Sequence, residues 1–201
     1  MEFATDTDVL FLIGTNTSEC HPIIAMQMLR GLERGAKMIV IDPKETDMAK
    51  KADIFIQPPV GYNIPLINAI INHIIKEELY DKEFVEKHTH GFEYVKYAVA
   101  DFTPQRVQEE TGIPASLVIK AAEMYAKADA AAICYTMGIT QFIDGTSNVF
   151  SLSNLGVLTG NLGKKGGGVN PLRGQNNVQG SCDMGALPNV TAAGLVTDAA
   201  V

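Results

Sequence analysis

The chain has 201 residues, a net charge of −7 and 46% hydrophobic residues, which is the composition of an ordered globular fold. The acidic balance and the lack of a basic stripe argue against nucleic acid or an anionic membrane as a partner. No apolar segment approaches the length of a membrane span, and the N-terminus lacks the pattern of a secretory signal. We therefore expect no membrane insertion and a cytoplasmic location.

The first part of the chain alternates strand and helix patterns. The apolar run from Asp8 to Ile13 predicts a strand buried on both faces, and the amphipathic helix after it ends at Gly35. Further strands are predicted at 38–41 and 54–56, with a short helix at 46–51 between them. This β-α-β-α-β order predicts an α/β fold with a doubly wound, mostly parallel sheet of Rossmann-like type.

Helical periodicity dominates the middle of the chain. A helix is predicted from Ile64 to Ile75, followed by a helical insertion of short helices at about 81–128. A strand at 130–135 and a closing helix at 147–162 complete the pattern. We predict that residues 1–163 form one α/β domain of dinucleotide-binding type.

The three cysteines are Cys20, Cys134 and Cys182, and they are widely separated. This spacing offers neither a disulfide framework nor a Cys-x-x-Cys metal site, so no metal ligand is predicted in the chain. The Cys20-His21 pair could suggest a nucleophile or a ligand, but a small loop cysteine is the more common occurrence.

Residues 160–180 are rich in glycine, asparagine and glutamine, and the pattern predicts neither a helix interior nor a strand interior. Such a segment suits ligand binding, and we expect Arg173 to be a buried guanidinium whose anionic partner comes from outside the protein. A salt bridge to Asp183 or an interface role stays open as an alternative. We assign 164–201 to a cofactor and substrate loop with a tail that leads to a neighbouring domain, and we expect mobility from Gly163 onward.

Ligands of doubly wound sheets bind beyond the carboxyl ends of the strands, where Gly14, Asp42, Pro58 and Gly138 fall. The sequence has neither Gly-x-Gly-x-x-Gly nor a P-loop, which argues against ordinary dinucleotides and nucleoside triphosphates. Asp42 suits hydrogen bonds from a ribose diol, and it equally suits the start of a helix. Asn63 is either a ligand contact or the N-cap of the helix that follows it.

Five segments carry recognisable motifs, at 14–22, 41–44, 137–141, 158–163 and 170–185. Together they resemble the catalytic subunit of molybdopterin-dependent formate dehydrogenases over nearly the whole chain. Leu-Thr-Gly-Asn-Leu-Gly is shared across the wider family that binds molybdopterin guanine dinucleotide. Arg-Gly-Gln-Asn-Asn-Val-Gln-Gly is much more specific to formate dehydrogenases.

The resemblance implies a bis-(molybdopterin guanine dinucleotide) cofactor with molybdenum or tungsten, held between two domains of dinucleotide-binding type. By that resemblance Arg173 holds the formate carboxylate, which is the main handle that a one-carbon anion offers. The implied cofactor contacts are Gly14, Thr15, Asn16, Cys20, His21, Asp42, Asn63, Gly138, Gln141 and Gly174.

The resemblance also implies parts that this sequence lacks. The family's metal-ligating cysteine or selenocysteine, with its neighbouring histidine, belongs upstream, as do the cysteines of an iron–sulfur cluster. We therefore expect a segment of a longer subunit that is inactive alone and works with the rest of the catalytic subunit and with electron-transfer subunits.

Two alternatives stay open. One is an enzyme of the same family that acts on another substrate, such as nitrate or formylmethanofuran. The other is a cofactor-free α/β binding module, which predicts internal ion pairs for Asp42 and Arg173 and no cleft between the strand ends.

Overall fold

The computed structural model describes residues 2–187, so the predicted tail at 188–201 lies outside the described residues. Within the described part, the chain is an α/β protein built on a five-stranded sheet in which every pair of neighbours is parallel. The strands are β1 (Val9–Ile13), β2 (Lys37–Ile41), β3 (Ile54–Ile56), β4 (Ala131–Tyr135) and β5 (Gly168–Pro171). Their spatial order is β3-β2-β1-β4-β5, which is the order of a doubly wound sheet and confirms the predicted fold class.

Ten α-helices lie within the described residues. They are α1 (Thr17–Cys20), α2 (Pro22–Arg34), α3 (Asn63–Lys76), α4 (Lys82–His88), α5 (Phe92–Val99), α6 (Pro104–Thr111), α7 (Ala115–Ala126), α8 (Met137–Thr140), α9 (Gly145–Leu158) and α10 (Val178–Asp183). None of the helices in residues 2–187 is long and apolar enough to cross a membrane.

The sheet is covered on both faces because its strands carry apolar side chains in both directions. Phe11 of β1 joins the larger core cluster together with residues of α3, α7 and α9. Its neighbours Leu10 and Leu12 point the other way and pack with Met28 of α2. All five residues of β1 and of β4 are buried, which explains their continuous apolar runs.

The short helices expected between 81 and 128 are present as α4 to α7. The start of α6 follows from its sequence, because the Thr103 hydroxyl accepts a hydrogen bond from the Arg106 backbone N–H at 3.1 Å and Pro104 begins the helix. The helix predicted at 46–51 is a single 3₁₀ turn at Ala49–Lys51, and α9 ends at Leu158, earlier than predicted.

The prediction that residues 160–180 hold neither strand nor helix is wrong. β5 pairs with β4 in register from Ala132 and Gly168 to Tyr135 and Pro171, and α10 follows it. The Asn170 side-chain amide donates to the Ile133 carbonyl oxygen at 3.2 Å, and Val169 packs against the larger core cluster. A proline is compatible with this position because β5 is an edge strand.

Candidate functional site

A cavity of about 180 Å³ opens at the carboxyl edge of the sheet, where the segments after β1, β2, β3 and β4 meet. The strand order changes direction between β1 and β4, which is the usual ligand position in a doubly wound sheet. We call it the edge cavity. Its lining includes five residues predicted from the sequence, which are Gly14, Asn16, Asp42, Asn63 and Gly138.

Two glycines bring the segments after β1 and β4 into contact. A Cβ atom on Gly14 would lie 2.7 Å from the carbonyl carbon of Gly138, and one on Gly138 would lie 2.5 Å from the Gly14 carbonyl oxygen. The Thr136 hydroxyl donates to that same oxygen at 2.7 Å. Because any larger side chain would separate the two segments, the close approach of β1 and β4 at the edge cavity depends on both glycines.

Asp42 lines the edge cavity without starting a helix, so that interpretation is wrong. Its Oδ1 accepts a hydrogen bond from the Lys44 backbone N–H at 2.8 Å. Burial raises the pKa of the Asp42 carboxyl, against the opposing effect of that hydrogen bond. Among residues 2–187 Asp42 has no salt-bridge partner, so its carboxylate can accept further hydrogen bonds from a ligand.

The segment before α3 forms another side of the edge cavity. Tyr62 is the N-cap residue of α3 and Asn63 is its first residue, so the N-cap interpretation of Asn63 is wrong. The Tyr62 hydroxyl donates to Glu110, which also accepts from Arg106 Nε at 2.6 Å. Burial and the nearby Glu110 carboxylate raise the pKa of Tyr62 to about 12, so the phenol keeps its proton as a donor. This contact fixes the segment against α6.

A second cavity, of about 190 Å³, lies between α8 and the segment that joins β5 to α10. Arg173 and Gly174 line it, as do Tyr135, Thr136, Met137 and Thr140. The two cavities are adjacent, because Gly138 of α8 lines the edge cavity while Met137 and Thr140 of the same helix line the second one.

The expectation of a buried Arg173 is wrong, because its side chain is exposed at the rim of this second cavity. The predicted alternative, a salt bridge to Asp183, does not occur either, and Arg173 has no ion pair in the part of the chain that the structure describes. Burial raises the pKa of the Tyr135 phenol, and the positive charge of Arg173 opposes that rise. The guanidinium is therefore available to an anion.

Four predicted residues lie outside the lining of both cavities. Thr15 is buried, and its hydroxyl forms a hydrogen bond with the Thr17 hydroxyl at 3.1 Å. Cys20 is exposed, and the Gln141 amide contacts the Met137 sulfur at 3.4 Å. His21 lies beside Arg173, with its Nε2 2.6 Å from the Arg173 carbonyl oxygen.

Sequence reasoning missed several lining residues. Pro43, Val60 and Phe142 line the edge cavity. The Thr136 hydroxyl connects the segment after β4 to the segment after β1 through its hydrogen bond to the Gly14 carbonyl. Each follows or nears a strand end, but nothing in the type of these residues distinguishes them from ordinary turn residues. The cofactor-free alternative predicted ion pairs for Asp42 and Arg173 and no cleft, whereas the described residues form a cleft and give neither side chain an ion pair.

The geometry also fits one end of a long polar ligand. Pockets for drug-sized ligands span about 300–1,000 Å³, so a cavity of about 180 Å³ has room for only part of a ligand of that size. Gly14 and Gly138 line the cavity without a side chain to fill it, and the Asp42 carboxylate can accept hydrogen bonds from a diol. Within residues 2–187 no group of three or more histidine, cysteine or acidic side chains could hold a metal ion.

Comparisons with known proteins identify relatives of this chain. The subunit alpha of F420-dependent formate dehydrogenase 1 from Methanococcus maripaludis is 52% identical over 185 residues, which cover 92% of this chain and 27% of that protein. Formate dehydrogenase H from Escherichia coli is 50% identical over 184 residues, which cover 92% of this chain and 26% of that protein. The chain thus spans about a quarter of the length of these relatives.

A solved structure has the same fold. Acetylene hydratase from Pelobacter acetylenicus superposes with a TM-score of 0.75 at 34% identity, over 80% of this chain and 22% of that one. The family model of the molybdopterin oxidoreductases matches residues 3–200. The chain belongs to the molybdopterin oxidoreductase family.

Proposed function

We propose that this chain is a segment of the catalytic subunit of a formate dehydrogenase, which oxidises formate to CO₂. The observation that carries the proposal is identity of about 50% to formate dehydrogenase alpha subunits over more than 90% of the chain. The exposed guanidinium of Arg173, at the rim of the second cavity, supports the same substrate.

In this proposal the edge cavity binds the guanosine end of a bis-(molybdopterin guanine dinucleotide) cofactor that carries molybdenum or tungsten. Asp42 accepts hydrogen bonds from the ribose diol, and Asn63 contacts the guanine. Gly14 and Gly138 keep the segments after β1 and β4 in contact at this cavity, because a Cβ atom on either would meet the backbone of the other. The cofactor, when bound, supplies the centre that accepts two electrons from formate.

The role of this chain in the reaction is to bind and orient formate. The planar guanidinium of Arg173 can donate two parallel hydrogen bonds to a carboxylate, which fixes both the position and the orientation of a one-carbon substrate. Holding the substrate in that way lowers the entropic cost of reaching the reactive geometry. Oxidation of formate then releases CO₂, one proton and two electrons.

Several further predictions depend on the parts of the subunit outside this chain. They are a metal-ligating cysteine or selenocysteine, an upstream iron–sulfur cluster, electron-transfer subunits and a cytoplasmic location. The shared fold alone does not choose among the reactions of a family, so the substrate is argued from Arg173 and from the formate dehydrogenase relatives.

The direct test is expression of the full-length polypeptide that contains this chain, followed by metal and pterin analysis and a formate-dependent dye-reduction assay. We expect molybdenum or tungsten, two pterin dinucleotides per subunit, and dye reduction that depends on formate. A cofactor-loaded protein that reduces nitrate and does not oxidise formate would contradict the proposed substrate.

A further inference from the structure

His21 connects two segments that are far apart in the sequence. It lies between α1 and α2, and its Nε2 is 2.6 Å from the carbonyl oxygen of Arg173, which is 152 residues away. The backbone of His21 is itself fixed, because its N–H donates to the Thr17 carbonyl at 2.9 Å and its own carbonyl accepts from Ala25 N–H at 2.9 Å. The imidazole therefore projects from a rigid helix junction.

The chemistry of this contact assigns the proton. A backbone carbonyl oxygen only accepts hydrogen bonds, so Nε2 carries the hydrogen and donates it. The other ring nitrogen, Nδ1, is shielded from solvent and has no hydrogen-bond partner among residues 2–187. The single hydrogen bond that the described structure gives the ring is thus the one to Arg173.

The segment that carries Arg173 has few other attachments. Leu172 is buried and its N–H donates to the Tyr135 carbonyl at 2.8 Å, which holds the residue before Arg173. Residues 173–176 lie between Leu172 and α10. Within the described part of the chain, a single hydrogen bond joins them to another element, and it is the one from His21. Gly174 and Gln175 are exposed.

We infer that His21 is a positioning residue for Arg173, which fixes the Arg173 backbone so that the guanidinium points to the formate position. This inference rests on the proposed function and assigns His21 a role other than a direct cofactor contact. Because α1 begins directly after Asn16 of the edge cavity, the same helix junction links the two cavities.

A matched pair of variants in the full-length enzyme tests the N–H donor. Glutamine and methionine have similar length and shape, but only the glutamine side chain can donate to the Arg173 carbonyl. We expect His21→Met to raise the formate KM about tenfold or more with unchanged cofactor content, because a misplaced positioning group costs up to about 100-fold. We expect His21→Gln to stay within about threefold of the wild type. His90→Phe, at an exposed histidine between α4 and α5, is the control.

The outcomes separate this inference from the proposed function. A wild-type enzyme without formate oxidation removes the proposed function and the inference with it. An active wild type whose His21→Met variant keeps its formate KM overturns the inference alone, and so does equal impairment of the glutamine and methionine variants. Loss of cofactor with an unchanged KM in the loaded fraction would make His21 a cofactor contact. Should His21→Met not accumulate, His21→Phe, which also lacks the donor, takes its place in the comparison.

Discussion

Asp42 is held by its own loop and still presents a carboxylate to the edge cavity. The Lys44 N–H occupies Oδ1 at 2.8 Å, and burial raises the pKa of the group. The folded chain therefore binds this proton more tightly than the unfolded chain does. The contribution of Asp42 to stability therefore falls as the pH rises from the pKa of the unfolded chain, about 4, through the higher pKa of the folded chain. A partly buried carboxylate that lines a cavity at this cost in stability fits a role in binding.

Replacing Asp42 by asparagine separates stability from binding. The asparagine side chain is uncharged and can still accept from the Lys44 N–H, so we expect thermal unfolding of the 201-residue chain at pH 7 to occur at the same temperature or higher. In the full-length enzyme we expect the pterin content to fall, because a hydrogen bond to a charged group contributes about 1.5–3 kcal/mol. Asp47→Asn, which removes an exposed partner of Lys50, is the control. Full retention of cofactor by Asp42→Asn would refute the ribose contact.

Some single residues could be placed from the sequence and others could not. Gly14, Asp42 and Gly138 follow strands that are buried on both faces, so their position at the carboxyl edge follows from the strand pattern. The exposure of Arg173 depends on the path of the chain after β5, which the pattern did not reveal. Thr136 is recognisable only from its contact across two strands that are neighbours in space.

At the scale of elements, the motif at 158–163 has a structural explanation. Asn161 is fully buried, and its Oδ1 accepts from the Ala131 N–H at 2.9 Å at the start of β4. Its amide nitrogen donates to the Thr159 hydroxyl at 2.8 Å, which in turn donates to the Leu155 carbonyl of α9 at 3.0 Å. The motif thus joins the end of α9 to the first residue of β4 and contributes to the frame that supports the site.

We expect Asn161→Ala to lower the free energy of unfolding of the 201-residue chain by about 1–3 kcal/mol, because it leaves the buried Ala131 N–H without an acceptor. Urea unfolding measures the change. Asn154→Ala, at a partly exposed position of α9, should change the stability by less than about 0.5 kcal/mol. Equal effects of the two substitutions would show that the Asn161 hydrogen bonds do not stabilise the fold.

Most helices and strands could be predicted because their hydrophobic patterns correspond to the burial of their faces in the fold. β1, β2 and β4 are apolar runs within the sheet, and α3 and α7 pack one apolar face against it. β5 escaped prediction because it has four residues, lies at the edge, and carries a glycine and a proline at its ends. Its strand conformation depends on pairing with β4 more than on local preference.

In our proposal, this chain as a whole supplies one side of a larger site. It matches 27% of the length of the Methanococcus maripaludis relative, and both cavities open at the same edge of its sheet. In our proposal the remaining contacts of the cofactor and the reacting centre come from the rest of the catalytic subunit. The sequence of this chain could therefore indicate the type of ligand and the residues that face it, but not the closed shape of the complete site.

In our proposal Arg173 binds formate beside a cofactor that this sheet edge helps to hold, and the decisive measurement is the formate KM of the full-length Arg173→Ala enzyme. We expect the KM to rise at least about 100-fold at normal metal and pterin content, with partial recovery in Arg173→Lys, because lysine keeps the charge and loses the bidentate geometry. Arg30→Ala, at an exposed position of α2, should leave the KM unchanged. A cofactor-loaded Arg173→Ala enzyme with the wild-type KM for formate would show that Arg173 does not bind the substrate.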